Sequence, residues 1–229
     1  MIRLAVGLPA YDARVDVEHC NMWLALGGAL LSNEDTFKFA GMTSIAMNPV
    51  ADARNYLVEG ALHSADWLLM VDADTYCSGE EAGVQILQMV KDAHAEGAAL
   101  VGAPVRARGW TKHEPTVWMQ DDVPRILSPA QKPAEPTMSI APEESYRGKL
   151  VPCSRIGAAF TALNLGWLRD HMPDPPWYTH EPSMMGSRLN RLRAHGEDGV
   201  FCDMVRIRGG VILVDGRITP SHVMMPARL

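Results

Sequence analysis

The sequence predicts a single-domain α/β fold with a largely parallel central sheet, and three observations indicate its class, its core and its domain number. Short apolar runs of strand length alternate with longer segments of helical apolar spacing over residues 1–104. Hydrophobic residues make up 47% of the 229 residues, which is enough for a substantial core. The length is that of one domain of ordinary or slightly large size, so we expect a single domain.

Two strand–helix pairs are predicted at the start of the chain. Residues 2–8 form a short apolar run typical of a buried strand, and residues 15–32 have the apolar spacing of a helix. Residues 36–42 favour a second strand. A second helix is predicted from Asn48-Pro49 to about residue 64, because asparagine is a good N-cap and proline suits the first helical position.

A third strand–helix pair contains the most distinctive stretch, ADWLLMVDADTYCSGEE. The apolar run 67–71 predicts a buried strand that ends at two carboxylates, Asp72 and Asp74. The following SGEE fits a capping box with Ser78 as the cap and Glu81 reaching back, so the next helix is expected to begin there and to end at Gly97.

The second half of the chain has a different pattern. A strand is predicted at 98–104, and the proline-rich residues 105–152 are expected to form an irregular loop. Residues 156–163 predict another strand, with a short helix after it at 165–171. A helix at 198–208 and a strand at 211–214 complete the expected elements.

Composition excludes several classes of protein. The net charge is −6, which is not that of a basic nucleic-acid-binding chain. The four cysteines form no C-x-x-C pair, so neither a structural zinc site nor a disulfide framework is expected. The apolar run at the N-terminus is too short for a signal peptide or a membrane span. We therefore expect a reduced, cytoplasmic protein without a membrane partner.

The acidic strand end has three interpretations. An extended backbone points Asp72 and Asp74 to the same side, where a hard cation such as Mg²⁺ or Mn²⁺ would relieve their repulsion. The carboxylates could instead form an Asx-turn or a helix cap. A phosphatase nucleophile is disfavoured, because a D-x-D-x-T motif needs threonine where Tyr76 stands, and that motif normally follows the first strand.

Several stretches together resemble the GT-A fold glycosyltransferases, and family 2 most closely, including small phage-encoded members. The stretches are LAVGLPAYD, ARNYLVEGAL, ADWLLMVDADT, IGAAFTAL and GEDGVFCDMVRIRGGVILVD, followed by His222. They cover most of the chain except residues 105–152. The resemblance implies a Rossmann-like single domain over 1–229 with a mixed, mainly parallel sheet flanked by helices. For a phage-encoded member, the location would be the host cytoplasm.

The resemblance also implies a division of the chain and a donor site. Residues 1–104 would be the nucleotide-sugar-binding half, 105–152 an acceptor-side loop, and 153–229 the acceptor and catalytic half. The donor would be a nucleotide sugar, with a UDP-sugar as the first candidate. The implied donor-binding residues are Pro9, Ala10, Tyr11, Asp12, Arg54, Asp72 and Ala73.

The resemblance further implies the metal ligands and the catalytic pair. Asp72 and Asp74 would hold Mn²⁺ or Mg²⁺ on the donor diphosphate, with Asp74 as the more direct ligand and His222 as a further one. Asp198 would be the catalytic base, and Glu197 beside it would orient donor or acceptor. The reaction would then invert the anomeric centre.

The acceptor side is less defined by the sequence. Basic residues cluster after the fourth strand and before the GED motif, and an aromatic pair follows two prolines; the candidate contacts are Arg106, Arg108, Trp177 and Arg188. The clusters are either solvated surface or a site for a phosphate-rich acceptor such as hydroxymethylated phage DNA. A glycan or a small molecule is the other expected acceptor, and the sequence does not indicate an oligomeric state.

Two other functions remain open. A nucleotidyltransferase on a similar scaffold would be expected to have a G-x-G-T-R-type loop after the first strand, and GLPAYDARVD lacks it. A non-catalytic nucleotide-sugar-binding module would not need the full acidic set.

Overall fold

A computed structural model of the chain describes residues 1–10, 17–47, 49–105, 117–120, 138–179 and 196–222. The helices in these residues are α1 (Val17–Leu31), α2 (Val50–Ala61), α3 (Ala82–Ala95), α4 (Leu165–His171) and α5 (Glu197–Ile207). The longer strands are β1 (Ile2–Ala10), β2 (Phe37–Ala46), β3 (Trp67–Val71), β6 (Val117–Gln120), β10 (Phe160–Asn164) and β11 (Ile212–Asp215). The short strands are β4 (Thr75–Tyr76), β5 (Leu100–Gly102), β7 (Met138–Ile140), β8 (Leu150–Pro152), β9 (Arg155–Ile156) and β12 (Ser221–His222).

A seven-stranded sheet in the order β2-β1-β3-β10-β5-β11-β8 forms the centre of the fold. Strands β2, β1 and β3 are mutually parallel, and β11 is parallel to β5. Strand β10 runs antiparallel to both of its neighbours, and β8 runs antiparallel to β11. The sheet is therefore mixed and mainly parallel, and the predicted α/β class is confirmed.

Both faces of the sheet are covered, which explains why the central strand β3 is apolar at every position. On β3, Leu68 and Met70 belong to the core shared with α2, α4 and α5. Trp67, Leu69 and Val71 belong to the opposite core, which is shared with α1 and α3. The continuous run WLLMV is thus a strand buried on two sides.

Helices α1 and α3 approach each other closely at Gly83. A Cβ atom added there would lie 2.3 Å from the carbonyl oxygen of Ala25 in α1. The two backbones can be this close only because Gly83 has no side chain. No described residue lies within 4 Å of a Cβ added at Gly60 in α2, so this second helical glycine makes no such contact.

We expect Gly83→Ala to lower the free energy of unfolding by about 1–3 kcal/mol, because the methyl group overlaps backbone and the helices must separate. Gly60→Ala is the matched control, and it should raise the free energy of unfolding by about 0.5–1 kcal/mol through higher helix propensity. Urea unfolding measures both. Equal effects at the two positions would contradict this account of the α1–α3 contact.

The starts of two helices differ from the predictions. Helix α2 begins at Val50 with Pro49 as the N-cap residue, so proline stands one position earlier than expected; Asn48 lies outside the described residues. Helix α3 begins at Ala82, and its N-cap Glu81 makes no side-chain capping hydrogen bond. The predicted capping box was therefore wrong. The chain first turns at Gly79, whose φ of 104° is unfavourable for other residues, so the helix starts later.

The region predicted as an irregular loop contains strands. Within its described residues, β6 pairs with β7, and β8 forms an edge of the central sheet. Strand β9, which follows the region, completes a small three-stranded sheet by pairing with β6. The predicted strand at 156–163 is divided, because a turn at 157–159 separates β9 from β10. In the described part of the chain, no helix is long and apolar enough to span a membrane.

Candidate active site

The acidic turn after β3 lies against the end of β1. The backbone N–H of Asp72 donates to the carbonyl of Ala159, and that of Ala73 donates to the carbonyl of Pro9 at 3.3 Å. Ala73 also packs with Ala10 in a small apolar cluster. The fold thus brings together four of the predicted donor-binding residues, Pro9, Ala10, Asp72 and Ala73, at the ends of two adjacent parallel strands, the usual position of a ligand in such sheets. Tyr11 and Asp12 lie outside the described residues.

The segment after the acidic turn is held from two sides. The buried His19 of α1 donates from Nδ1 to the carbonyl oxygen of Thr75 at 2.7 Å, which places a proton on that ring nitrogen. Strand β12 pairs with β4 from the other side, with His222 opposite Thr75. This two-residue pairing was not predicted, and it brings the end of the described chain to the acidic turn.

The pairing places His222 beside Asp74. The distance from His222 Nε2 to Asp74 Oδ1 is 3.3 Å, and the side chains are 20% and 10% exposed. Of the three predicted metal ligands, these two are in contact, whereas Asp72 is paired with Arg54. Among the described residues, no group of three histidine, cysteine, aspartate or glutamate side chains is placed to hold a metal ion.

The Asp74–His222 pair nevertheless fits one end of a divalent cation site. A carboxylate and an imidazole are both common ligands of transition-metal ions, and a nitrogen ligand favours Mn²⁺ over Mg²⁺, which takes oxygen ligands. A cation bound through few protein groups takes its remaining ligands from phosphate and water. The described residues could therefore supply two ligands of such a cation, and its other ligands would have to come from elsewhere.

Arg54 of α2 joins the two acidic parts of the site. Its Nη2 donates to both carboxylate oxygens of Asp72, at 2.8 and 3.0 Å, and its Nη1 donates to Glu197 Oε1. The side chain is only 4% exposed, and its contact with the donor stays a prediction. Burial raises the pKa of Asp72, and the charge of Arg54 opposes this effect.

Helix α5 begins with Glu197 and Asp198, where the partial positive charge of the helix terminus favours carboxylates. The Asp198 Oδ1 atom accepts from the N–H of Gly199 at 2.7 Å. Burial, followed by the charge of Glu197, raises the pKa of Asp198, although backbone N–H groups and Arg54 act in the opposite direction. A carboxylate with a raised pKa is a stronger base, which suits proton abstraction near neutral pH.

Asn55, next to Arg54, holds the segment that follows α4. Its Oδ1 accepts from the N–H groups of Trp177 and Tyr178 at 2.9 and 2.8 Å, and its Nδ2 donates to the Tyr178 carbonyl. Tyr178 then stacks on Phe201 of α5, with centroids 4.5 Å apart, and lies over Arg54 with 5.8 Å between the guanidinium carbon and the ring centroid. Asn55 was not predicted as a site residue, and Tyr178 was singled out only as the second member of the aromatic pair with Trp177.

Trp177 is a correction to the predicted acceptor side. Its side chain is 1% exposed, and its Nε1 donates to the carbonyl of Met172. The indole is therefore part of the core, and the neighbouring Tyr178 is the aromatic side chain beside the carboxylates. The other acceptor-side predictions, Arg106, Arg108 and Arg188, lie outside the described residues.

We expect Asn55→Ala to lower the free energy of unfolding by about 1–3 kcal/mol, because it leaves backbone groups of residues 177–178 without their partner. Asn33→Ala is the control, since the Asn33 side chain makes one hydrogen bond, to a carbonyl of α1. Chemical denaturation measures both. A cost for Asn55→Ala no greater than that of the control would contradict the role of Asn55 as the anchor of this segment.

No protein-family model matches the chain, and no curated protein matches it. Among solved structures, A197 from STIV is similar over 98% of this chain and 87% of that chain, with a TM-score of 0.52 and 15% identity. GalNAc-T7, solved with UDP, GalNAc and Mn²⁺, is similar over 97% of this chain and 44% of that chain, with a TM-score of 0.51 and 9% identity. At these identities the likeness shows the fold, and the predicted GT-A fold is confirmed.

Proposed function

We propose that the protein is a metal-dependent glycosyltransferase that moves a sugar from a nucleotide-sugar donor to an acceptor hydroxyl. The donor side would be the acidic turn at the ends of β1 and β3, and the catalytic side the start of α5. A UDP-sugar is the first candidate donor, because the similar GalNAc-T7 structure holds UDP. We further propose that the whole chain acts as one domain, since strands from both halves form the central sheet.

One observation carries the proposal: Arg54 bridges Asp72, which follows β3, and Glu197, which opens α5. Residues distant in sequence thereby form one acidic centre that also includes Asp74 and Asp198. Carboxylates gathered at the carboxyl edge of a parallel sheet, with the pKa of both Asp72 and Asp198 raised, are typical of a catalytic site rather than of a stabilising ion pair. GT-A topology supports the same reaction class by analogy of fold alone.

In the proposed reaction, the acceptor oxygen forms a bond to the anomeric carbon of the sugar. The bond between that carbon and the donor phosphate oxygen breaks, and its electron pair goes to the leaving nucleoside diphosphate. Asp198 takes the proton of the acceptor hydroxyl, which contributes about 10²–10⁴-fold to the rate in comparable sites. Attack from the face opposite the leaving group inverts the anomeric centre.

Other residues position this chemistry. Asp74 and His222 would hold the divalent cation, for which their donor set favours Mn²⁺. When bound, such a cation stabilises the negative charge that develops on the leaving diphosphate. Glu197, fixed by Arg54, adds negative charge beside Asp198 and so helps to keep the pKa of Asp198 raised.

The acceptor is proposed only as a hydroxyl compound, with hydroxymethylated DNA as one candidate and a glycan or small molecule as the others. The four carboxylates Asp72, Asp74, Glu197 and Asp198 outnumber the cationic groups described near them. A DNA acceptor would therefore depend on basic residues elsewhere, and binding would weaken as salt rises.

A nucleotide-release assay over a panel of nucleotide sugars tests the proposal. It is run with Mn²⁺, with Mg²⁺ and with chelator, and each donor is paired with hydroxymethyl-cytosine DNA, hydroxymethyl-uracil DNA and simple glycans. We expect release with at least one donor, faster with Mn²⁺ than with Mg²⁺ and abolished by chelator. Binding of a nucleotide sugar without turnover under any condition would instead indicate a non-catalytic binding module.

A further inference from the structure

The Arg54 side chain is almost completely buried, and described residues contact its guanidinium group. Its two terminal nitrogens donate to Asp72 and Glu197, and Tyr178 covers the guanidinium group. Its Nε is buried and has no hydrogen-bond partner among the described residues. Both terminal nitrogens already donate to carboxylates and the side chain is only 4% exposed, so a donor phosphate would have to compete with these two ion pairs for Arg54.

The same contacts give different partners to the two carboxylates of the acidic turn. Both oxygens of Asp72 accept from Arg54 Nη2, whereas Asp74 has His222 Nε2 within 3.3 Å. Asp72 and Asp74 are two residues apart and would otherwise be equivalent candidates for a cation. Arg54 is the group that distinguishes them, because it forms an ion pair with Asp72, whereas Asp74 lies beside His222.

Arg54 also relates two backbone segments. Asp72 is fixed to the end of β3, and Glu197 is fixed to the first turn of α5 beside Asp198. A planar guanidinium group with two donating ends can hold two carboxylates at a defined separation, and a lysine ammonium cannot do so in the same geometry. The distance between the donor side and the base is thereby set through one buried side chain.

We propose that Arg54 is a positioning residue that excludes Asp72 from the cation site and fixes Asp198 relative to the acidic turn, rather than a ligand of the donor. Its effect on catalysis rests on the proposed function. Its effect on cation binding does not, and the two can be measured separately.

The first test is Mn²⁺ binding to the donor-free protein, followed by electron paramagnetic resonance titration. Four proteins are compared: the native chain, Asp72→Asn, Arg54→Met and the double variant. In the Arg54→Met background Asp72 becomes available to Mn²⁺, so Asp72→Asn should weaken Mn²⁺ binding there at least about tenfold more than in the native background. Because Asp72→Asn removes one negative charge in both backgrounds, comparing its effect in the two separates direct ligation of Mn²⁺ from the general loss of charge.

Equal effects of Asp72→Asn in the two backgrounds would overturn the proposal, as would a lack of Mn²⁺ binding by Arg54→Met. Asp74→Ala serves as the reference, because it should weaken Mn²⁺ binding in either background. Should Arg54→Met fail to fold, Arg54→Gln takes its place, since it removes the charge but retains hydrogen-bond donors, and the same criterion applies.

The second test uses turnover with whichever donor the native protein accepts. Arg54→Met should lower kcat by at least about tenfold with the KM for donor changed by less than about threefold, because positioning affects the transition state and not donor binding. Arg54→Lys should not restore kcat. A large rise in KM with rescue by lysine would instead identify a donor-phosphate contact and overturn the proposal. If the native protein transfers no sugar at all, the proposed function fails, and the Mn²⁺ comparison still decides this inference.

Discussion

Replacing Asp198 by asparagine is expected to lower kcat by about 10²–10⁴-fold while making the protein more stable near pH 8. The activity is lost because asparagine cannot take the proton of the acceptor hydroxyl. The stability rises because burial and the charge of Glu197 raise the pKa of Asp198 in the folded state. Near pH 8 the ionised carboxylate therefore destabilises the folded state relative to the unfolded state, and asparagine removes this cost. Kinetic assays and thermal unfolding of the same preparation measure the two effects.

The pH dependence follows from the sign of that shift. A carboxyl whose pKa is raised on folding contributes most to stability when protonated, and this contribution is lost as pH rises through the folded pKa. The stability difference between Asp198→Asn and the native protein should therefore be largest above the raised pKa and should shrink towards acid pH. The acidic limb of the pH profile of kcat/KM should report a pKa above the ordinary range of an aspartate.

Asp170→Asn is the matched control, because Asp170 is an exposed carboxylate on α4. It should change neither kcat nor the free energy of unfolding beyond about 0.5 kcal/mol. An Asp198→Asn variant that keeps full activity, or one that is destabilised at pH 8, would contradict the assignment of Asp198 as a buried catalytic base.

Replacing Asp74 by alanine is expected to lower kcat/KM by about 10²–10³-fold or more, because charge stabilisation of the leaving diphosphate is worth several kcal/mol. His222→Ala should have a smaller effect that higher Mn²⁺ concentrations partly restore, since Asp74 remains. Initial rates measured over a Mn²⁺ titration separate the two variants.

Two exposed residues provide the controls for this pair. Asp52 and His63 are exposed, on α2 and just after it, so Asp52→Ala and His63→Ala should leave the Mn²⁺ dependence unchanged. Turnover that Asp74→Ala does not affect would exclude Asp74 as a ligand. A His222→Ala variant with an unchanged Mn²⁺ dependence would limit the role of His222 to its strand pairing with β4.

The strong local patterns in the sequence predicted their elements well. Strand β3 and helix α4 have the predicted bounds, because a continuous apolar run that stops at polar residues marks a strand buried on both faces, and Asn164 provides a clear cap by accepting from the Trp167 N–H. The capping prediction at Ser78 failed for a tertiary reason. The turn at Gly79, whose φ is 104°, falls among the residues that would have formed the first helical turn.

The contacts of the site were less predictable than its residues. Asp72 and Asp74 could be selected from the sequence, because acidic residues directly after an apolar strand are visible as a local pattern. Glu197 and Asp198 were selected through the family resemblance, since acidic residues at a helix start are also explained by the helix dipole. The Arg54 bridge joins three separate segments, and no spacing rule encodes such a contact. The β12 pairing that brings His222 to Asp74 involves two residues on each side, which is too short for a periodic signal.

The nucleotide product formed by the native protein, identified by ³¹P NMR, tests the central claim most directly. With an accepted nucleotide sugar, Mn²⁺ and an acceptor, the account predicts a nucleoside diphosphate in one-to-one ratio with glycosylated acceptor, and no product with chelator. Pyrophosphate formed from a nucleoside triphosphate and a sugar phosphate would contradict the proposed sugar transfer and identify a nucleotidyltransferase. Turnover of a nucleotide sugar that does not require metal would contradict the proposed role of the cation.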